Sequence, residues 1–162
     1  NASDFGSMNN DKYNLGGTSS HEGNARGVFV GGRGGIPSTN NQMMYVTITS
    51  ANNSQDFGDL TTNFVWNGVS GDGNRGVTMG GGSPGNASIN YWAIMTTGNA
   101  SNFGALANGN GNGACSGDGT YVVDASASSL DRITVQTTGN ATDFGSQPGG
   151  MNYSTGSSGD PS

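Results

Sequence analysis

Apolar and polar positions alternate with a period of two along three stretches of this chain. Each stretch ends in Asp-Phe-Gly or Asn-Phe-Gly. The preceding residues align without a gap as MMYVTITSANNSQDF from Met43, INYWAIMTTGNASNF from Ile89 and LDRITVQTTGNATDF from Leu130. Two columns are apolar in every copy and stand two residues apart, namely Val46, Trp92 and Ile133, and Ile48, Ile94 and Val135. Because successive side chains of a β-strand point to opposite faces, this pattern predicts a half-buried strand in each copy.

Further landmarks predict the rest of the repeat. Ser-Gly-Asp occurs at Ser70–Asp72, Ser116–Asp118 and Ser158–Asp160, 13 or 14 residues after the respective phenylalanine. The segment NRGVTMGG from Asn74 matches NARGVFVGG from Asn24 and, more loosely, GTYVVDAS from Gly119. One unit therefore comprises a strand, a Ser-Gly-Asp-like turn, an RGV strand, a glycine-rich loop, the core strand and a strand that carries Asp-Phe-Gly. Four short strands per unit are typical of a propeller blade.

The repeat predicts an all-β protein that forms a single repeat domain over residues 1–162. Three complete four-stranded units span about 12–58, 60–104 and 105–145, while 1–6 is the tail of an earlier unit and 148–162 the first strand and turn of a later one. Because propellers generally close with about 4–8 blades, three units do not close a conventional ring. We expect either a longer array or several copies that complete one another. An open stack is disfavoured, since unpaired strand edges invite aggregation.

The repeats resemble those of tail fibres and other surface proteins of bacteriophages, which are in turn similar to kelch motifs. A kelch motif has a glycine pair followed by a tyrosine and a tryptophan. The corresponding residues here are Gly31-Gly32 and Gly80-Gly81, Tyr45 and Tyr91, and Phe57 and Phe103 in place of the tryptophan. The third unit lacks the glycine pair and has Arg132 in the tyrosine column. The resemblance implies kelch-like β-propeller-type blades and a structural or adhesive role at a virion surface.

The composition favours a folded protein with a thin core. The chain contains 31 glycines, 31% hydrophobic residues and 10% charged residues, so turns are frequent and strands are short. It carries 8% aromatic residues at a net charge of −6, a combination that disfavours disorder. With five lysines and arginines in total, little could neutralise a phosphate backbone, so no nucleic-acid partner is expected. No apolar run approaches the ~20 residues that a membrane helix needs, so no membrane insertion is expected.

Chemically reactive groups are few. His21 is the only histidine, which excludes a cluster of histidine ligands, and its serine- and glycine-rich surroundings favour a solvent-facing turn. The recurring Asp4, Asp56 and Asp143 are replaced by Asn102 in the second unit. This exchange favours side chains that hydrogen-bond their own turn backbone over acid–base catalysis. We therefore expect no catalytic residue and no cofactor.

Cys115 is the only cysteine, which excludes an internal disulfide framework and a cysteine-based metal site. A buried thiol is favoured over a nucleophile, since no neighbouring base is present. The Ser-Gly-Asp turns are similar to calcium-binding turns, but Glu22 is the only glutamate and carboxylates are too few. We therefore expect no metal site.

Some aromatic and acidic positions remain as candidates for binding or packing. Trp66 is not reproduced by the repeat, since asparagine takes the equivalent positions, and it could stack on a sugar, fill a partner's pocket or simply pack. The candidate ligand-binding residues are Trp66, Asp72 and Asp118. The predicted anchors of blade-to-blade packing, present in every copy, are Phe5, Phe57, Phe103 and Phe144.

Two functions fit these observations. The first is a structural and adhesive component of a bacteriophage virion, a tail-fibre or capsid-fibre segment that acts in assembly and host attachment. Its partners would be copies of the same chain, other virion proteins, and a host surface glycan or receptor. The second is a carbohydrate-binding module or adhesin of a bacterial cell-surface protein, with its site in the loops around Trp66, Asp72 and Asp118. An enzyme is disfavoured, because the chain lacks the histidines or clustered acids it would need.

Overall fold

The computed structural model describes residues 2–21, 23, 25–34, 41–82, 85–108 and 113–151, and every regular element in this part of the chain is a β-strand. The strands are β1 (Gly16–Ser19), β2 (Arg26–Val30), β3 (Gln42–Thr47), β4 (Gln55–Asp59), β5 (Gly68–Gly71), β6 (Arg75–Met79), β7 (Ser88–Ala93), β8 (Ser101–Ala105), β9 (Ala114–Gly117), β10 (Tyr121–Thr134) and β11 (Thr142–Met151). The third Ser-Gly-Asp motif, most of the last predicted partial unit (152–162) and Asn1 lie outside the described residues.

The strands form three antiparallel sheets in chain order. Sheet 1 has the order β1-β2-β3-β4, sheet 2 has the order β5-β6-β7-β8, and sheet 3 has the order β11-β10-β9. Equivalent strands pair in the same register in sheets 1 and 2, so that Arg26 lies opposite Thr47 as Arg75 lies opposite Ala93. The prediction of an all-β chain built from repeated four-stranded units is confirmed for these two sheets.

Sheet 3 is also four-stranded, because β10 folds back on itself. A straight strand of its 14 residues would be about 46 Å long. The amide N of Val135, however, donates to the carbonyl O of Thr120 at 2.9 Å, so the residues that flank the two ends of β10 are in contact. The equivalent bonds in the other sheets join Ile94 to Asn74 and Ile48 to Ala25. β10 therefore supplies both middle strands of its unit.

The Asp-Phe-Gly motif is a β-bulge. In sheet 1, Met43 lies opposite Gly58 and Met44 lies opposite Asp56, which leaves Phe57 as the extra residue. The register shifts at the equivalent points of sheets 2 and 3, which leaves Phe103 and Phe144 as the extra residues there. A bulge bends the strand and redirects a side chain, and here the redirected side chain is the phenylalanine.

The sheets stack face to face and enclose two apolar cores. The core between sheets 1 and 2 contains Val28, Val30, Met43, Phe57, Leu60, Phe64, Val69, Trp92, Ile94 and Ala100. The core between sheets 2 and 3 contains Val77, Met79, Ile89, Phe103, Leu106, Cys115, Val122, Ile133, Val135 and Ala141. Equivalent columns recur in both, because each sheet presents one set of alternate residues to the sheet before it and the other set to the sheet after it.

Backbone hydrogen bonds also join neighbouring sheets. The amide N of Ala100 donates to the carbonyl O of Asp59 at 2.9 Å, and the amide N of Asp59 donates to Oδ1 of Asn99 at 3.0 Å. The same pair of bonds joins Ala141, Ala105 and Asn140 between sheets 2 and 3. It also joins Ser54, Ser7 and Asn53, so residues around Ser7 lie against sheet 1 as β4 lies against sheet 2. The recurring asparagine therefore has a structural role at every junction.

An arginine–tyrosine pair supports each sheet, and sheet 3 carries it in reverse. The guanidinium of Arg75 lies 4.5 Å from the ring centroid of Tyr91, and its Nη1 also donates to the carbonyl O of Val135 at 3.0 Å. In sheet 3 the tyrosine column holds Arg132 and the arginine column holds Tyr121, at a guanidinium-to-centroid distance of 4.8 Å. The exchange of both residues therefore preserves the contact between an arginine and a tyrosine.

We expect the two orientations of this pair to be interchangeable. Tyr121→Ala should lower the free energy of unfolding by about 0.5–1 kcal/mol, because it removes the cation–π contact. Arg132→Ala should lower it further, because it also removes the contact of Arg132 with Phe144. The double variant Tyr121→Arg/Arg132→Tyr should stay within about 0.5 kcal/mol of the original chain. Equilibrium unfolding in urea checks this. A double variant less stable than both single variants would show that each residue acts through its own surroundings.

Candidate functional sites

Among the described residues, no further sheet covers the last face of the stack, on sheet 3. Phe144 is 52% exposed, whereas its equivalents Phe57 and Phe103 are 2% and 3% exposed. A Cβ at Gly58 would collide with the carbonyl O of Gly98 in the next sheet, but a Cβ at the equivalent Gly145 would meet open space. We call this surface the tail face and define it by Val123, Leu130, Arg132 and Phe144. It presents the columns that sheets 1 and 2 bury against their successors.

The first face of the stack, on sheet 1, is only partly covered. Residues around Ser7 lie against it and leave its apolar columns exposed. Ile48 is 46% exposed, whereas its equivalents Ile94 and Val135 are 0% exposed. Val46 is half-buried, and its equivalent Trp92 is buried. We call this surface the head face and define it by Val46 and Ile48. Phe5, which precedes sheet 1 in the chain, is exposed like Phe144.

The two Ser-Gly-Asp aspartates close their own turns. Oδ1 of Asp72 accepts hydrogen bonds from the amides of Asn74 and Arg75 at 2.9 and 2.6 Å. Oδ1 of Asp118 accepts equivalent bonds from Thr120 and Tyr121 at 2.9 and 2.7 Å. These bonds, that from Tyr121 first, lower the pKa of Asp118, since they favour the carboxylate. Asp72 also accepts a bond through Oδ2 from the side chain of Gln136, which links sheets 2 and 3.

Trp66 lies apart from these turns. It precedes β5, and Asp72 follows β5, so a strand of four residues, about 13 Å long, stands between them. Arg33 lies near Trp66, and Tyr13 is paired with Arg33; the sequence analysis singled out neither Tyr13 nor Arg33. Arg33 forms an isolated antiparallel bridge with Tyr13, and its guanidinium lies 5.8 Å from the centroid of the Trp66 ring. The repeat could have indicated both residues, because Tyr13 and Arg33 differ from the residues in the same columns of the second unit, which are Val65 and Gly82.

Two buried carboxylates lie between sheets 2 and 3, and the sequence did not indicate them. Asp124 and Asp131 are buried, and one carboxylate oxygen of each has no hydrogen-bond partner in the part of the chain that the structure describes. Burial, together with the charge of Asp131, raises the pKa of Asp124 to about 6. The Sγ of Cys115 lies 3.5 Å from Oδ1 of Asp124, and burial followed by this carboxylate raises the pKa of the thiol. The thiol therefore stays protonated and is a poor nucleophile.

The remaining candidate groups are turn or surface residues. Asp4 and Asp143 each accept a hydrogen bond from the amide two residues on, at 3.1 and 3.0 Å, as predicted for side chains that close their own turn. Asp56 and His21 are exposed, and His21 lies against Gly73. Among the described residues, no group of three or more histidine, cysteine, aspartate or glutamate side chains could hold a metal ion. The same part of the chain contains no helix long and apolar enough to span a membrane.

No protein-family model matches the sequence, and no curated protein matches it either.

Proposed function

We propose that this chain is a structural module that assembles head to tail with other copies of itself, as a segment of a fibre or ring of kelch-like, propeller-type blades. The observation that carries the proposal is the exposure of apolar side chains on both end faces of the stack. Phe144 on the tail face and Ile48 on the head face are both about half exposed, while their equivalents are buried at the internal junctions. Those junctions serve as templates for the contact that we propose between copies. In this contact, β11 of one copy takes the place that residues around Ser7 of the other copy hold against sheet 1.

The two faces are different and complementary, which sets the symmetry of the contact. The tail face corresponds to the surface that sheet 1 presents to sheet 2, and the head face corresponds to the surface that sheet 2 presents to sheet 1. A contact between unlike faces is heterologous, and repeating it yields a ring if the rotation closes or an open helical fibre if it does not. Propeller-type closure is the ring case, with the missing blades supplied by further copies.

The setting we propose is a bacteriophage virion, where the assembled blades form a tail-fibre or capsid-fibre segment and contribute to host attachment. The likeness of the repeats to those of phage fibre proteins supports this setting. A non-catalytic role is supported by the single histidine and by aspartates that close turns. The second candidate is a carbohydrate-binding module or adhesin of a bacterial cell surface. The observation that favours it is the grouping of Tyr13 and Trp66 about Arg33.

Two face variants test the proposed assembly. We expect the unaltered chain to associate with increasing concentration, while Phe144→Asp and Ile48→Asp each remain monomeric, because burying an unpaired carboxylate opposes the contact. Mixing the two variants should give a dimer and nothing larger, since one intact head face and one intact tail face remain. Analytical ultracentrifugation of the single and mixed samples measures this directly.

The matched control is Met95→Asp, which alters an apolar side chain of similar exposure, 42%, that belongs to neither face. It should associate as the unaltered chain does. A chain that stays monomeric at millimolar concentration, or face variants that associate normally, would contradict the proposal. Dimers formed by either face variant alone would instead indicate a contact between like faces and would overturn the head-to-tail arrangement.

A further inference from the structure

Three residues that depart from the repeat meet at the junction of sheets 1 and 2. Tyr13, Arg33 and Trp66 stand in columns that hold Val65, Gly82 and Asn14 in the adjoining unit. The equivalent backbone bonds are kept, since the amide of Gly82 donates to Val65 as the amide of Arg33 donates to Tyr13. The fold of this junction therefore does not require the three large side chains.

The backbone holds the three side chains together. Tyr13 and Arg33 exchange two hydrogen bonds of 2.8 Å, so they are directly opposed and their side chains leave the pair on the same face. The guanidinium of Arg33 lies 5.8 Å from the centroid of the Trp66 ring. The amide of Trp66 donates to the carbonyl O of Asn14 at 3.2 Å, which fixes the tryptophan beside Tyr13.

Trp66 has a backbone conformation that is unfavourable for a bulky side chain. Its φ is 55°, in the left-handed region, and the equivalent Asn14 has a φ of 57°. Asparagine tolerates this region, whereas a bulky side chain there is destabilised by about 1–2 kcal/mol. Folding alone would therefore favour asparagine at position 66. A large residue that opposes the local backbone preference indicates a role outside folding.

The group offers both an apolar platform and a free donor. Tyr13 is 57% exposed, and Trp66 is half-buried. The Nε of Arg33 is buried and has no hydrogen-bond partner among the described residues. An unpaired buried donor is unfavourable unless a ligand atom satisfies it. Aromatic faces suit the apolar C–H face of a sugar ring, and a nearby guanidinium donates to sugar hydroxyl or carboxylate oxygens.

We propose that Tyr13, Arg33 and Trp66 form a carbohydrate-binding site for a pyranose ring. The ring stacks on the aromatic side chains, and one of its oxygen atoms accepts a hydrogen bond from the guanidinium of Arg33. This inference specifies the class of ligand for host attachment, and it rests on that part of the proposed function. It does not depend on the head and tail faces, which are formed by other residues.

Residues of the repeat itself supply the test variants. Trp66→Asn, Tyr13→Val and Arg33→Gly each install the side chain that the adjoining unit carries in that column, so the fold is expected to remain. The unaltered chain is applied to an array of neutral, uronate-containing and sulfated oligosaccharides, and the strongest binder is measured by titration calorimetry. We expect Trp66→Asn to weaken binding about tenfold or more, with an unchanged or higher Tm.

Arg33→Lys separates two ligand chemistries. It keeps the charge and loses the planar guanidinium, so it should retain more affinity for a uronate than for a neutral sugar. Met95→Ala, at the opposite end of the strands, should bind as the unaltered chain does. If no oligosaccharide on the array binds, or if Trp66→Asn binds as tightly as the unaltered chain, the inference is overturned. Either result leaves the association test unaffected, so the two proposals fail separately.

Discussion

Replacing Phe103 by alanine is expected to lower the free energy of unfolding by about 3–5 kcal/mol, the usual loss for a large buried aromatic residue. Phe103 is the bulged residue of sheet 2, lies in the core between sheets 2 and 3, and contacts Tyr91 edge to face at 5.9 Å. The alanine would leave a cavity between the two sheets, because the backbone hydrogen bonds that join them fix their spacing. Urea unfolding monitored by circular dichroism, at a concentration below any association, measures the loss.

Phe144→Ala is the matched control, because it makes the same change in the same column. Phe144 is 52% exposed, so its loss in the monomer should be about 1 kcal/mol or less, largely from the contact with Arg132 at 4.9 Å. A similar loss at both positions would contradict the assignment of the tail face. If copies assemble as proposed, Phe144→Ala should instead weaken association, so the two variants separate folding from assembly.

The strands could be predicted from the sequence because the repeat made the period of two visible in several copies at once. Any one copy is ambiguous, since Asp131 and Arg132 interrupt the apolar run of the third. The aligned columns around Trp92 and Ile94 removed that ambiguity. Four strands per unit followed from the turn signals between them, since short loops join antiparallel neighbours.

The bulge at Asp-Phe-Gly was visible as a motif but not as a structure. The motif showed that phenylalanine recurs, while the extra residue in the pairing appears only when β4 is set against β3. The glycine follows from this geometry, since Gly58 has a φ of 140° and faces the backbone of the next sheet. Phe57 and Phe103 are buried because each lies between its own sheet and a following sheet, whereas Phe144 has no described sheet after it and Phe5 has none before it. No local pattern contains that information.

The site residues depended on contacts that sequence distance hides. Trp66 stood out because the repeat does not reproduce it, and the same comparison of columns would have found Tyr13 and Arg33. They were missed because each lies in a loop whose alignment depends on the bridge between them. In the sequence, Asp72 and Asp118 are two acidic residues in turns. Their structural role is visible only from the hydrogen bonds that they accept from backbone amides. Departures from a repeat are thus the better guide to binding residues.

The buried Asp124 is expected to make the chain more stable in mild acid than at neutral pH. Its pKa is about 6 in the folded chain against an ordinary value of 3.8, so between these values the folded state holds a proton that the unfolded state has lost. The stabilisation from this group is therefore complete below about pH 4 and falls as the pH rises towards 6, by up to about 3 kcal/mol.

Asp124→Asn, which is neutral at every pH, should remove this dependence on pH and stabilise the chain at pH 7–8 by a similar amount. Asp118→Asn is the control, because this exposed carboxylate has a lowered pKa and should leave the slope between pH 4 and 6 unchanged. Urea unfolding at intervals from pH 4 to 8 gives the curves, and an Asp124→Asn curve parallel to that of the unaltered chain would show that the sheet junction tolerates the buried charge.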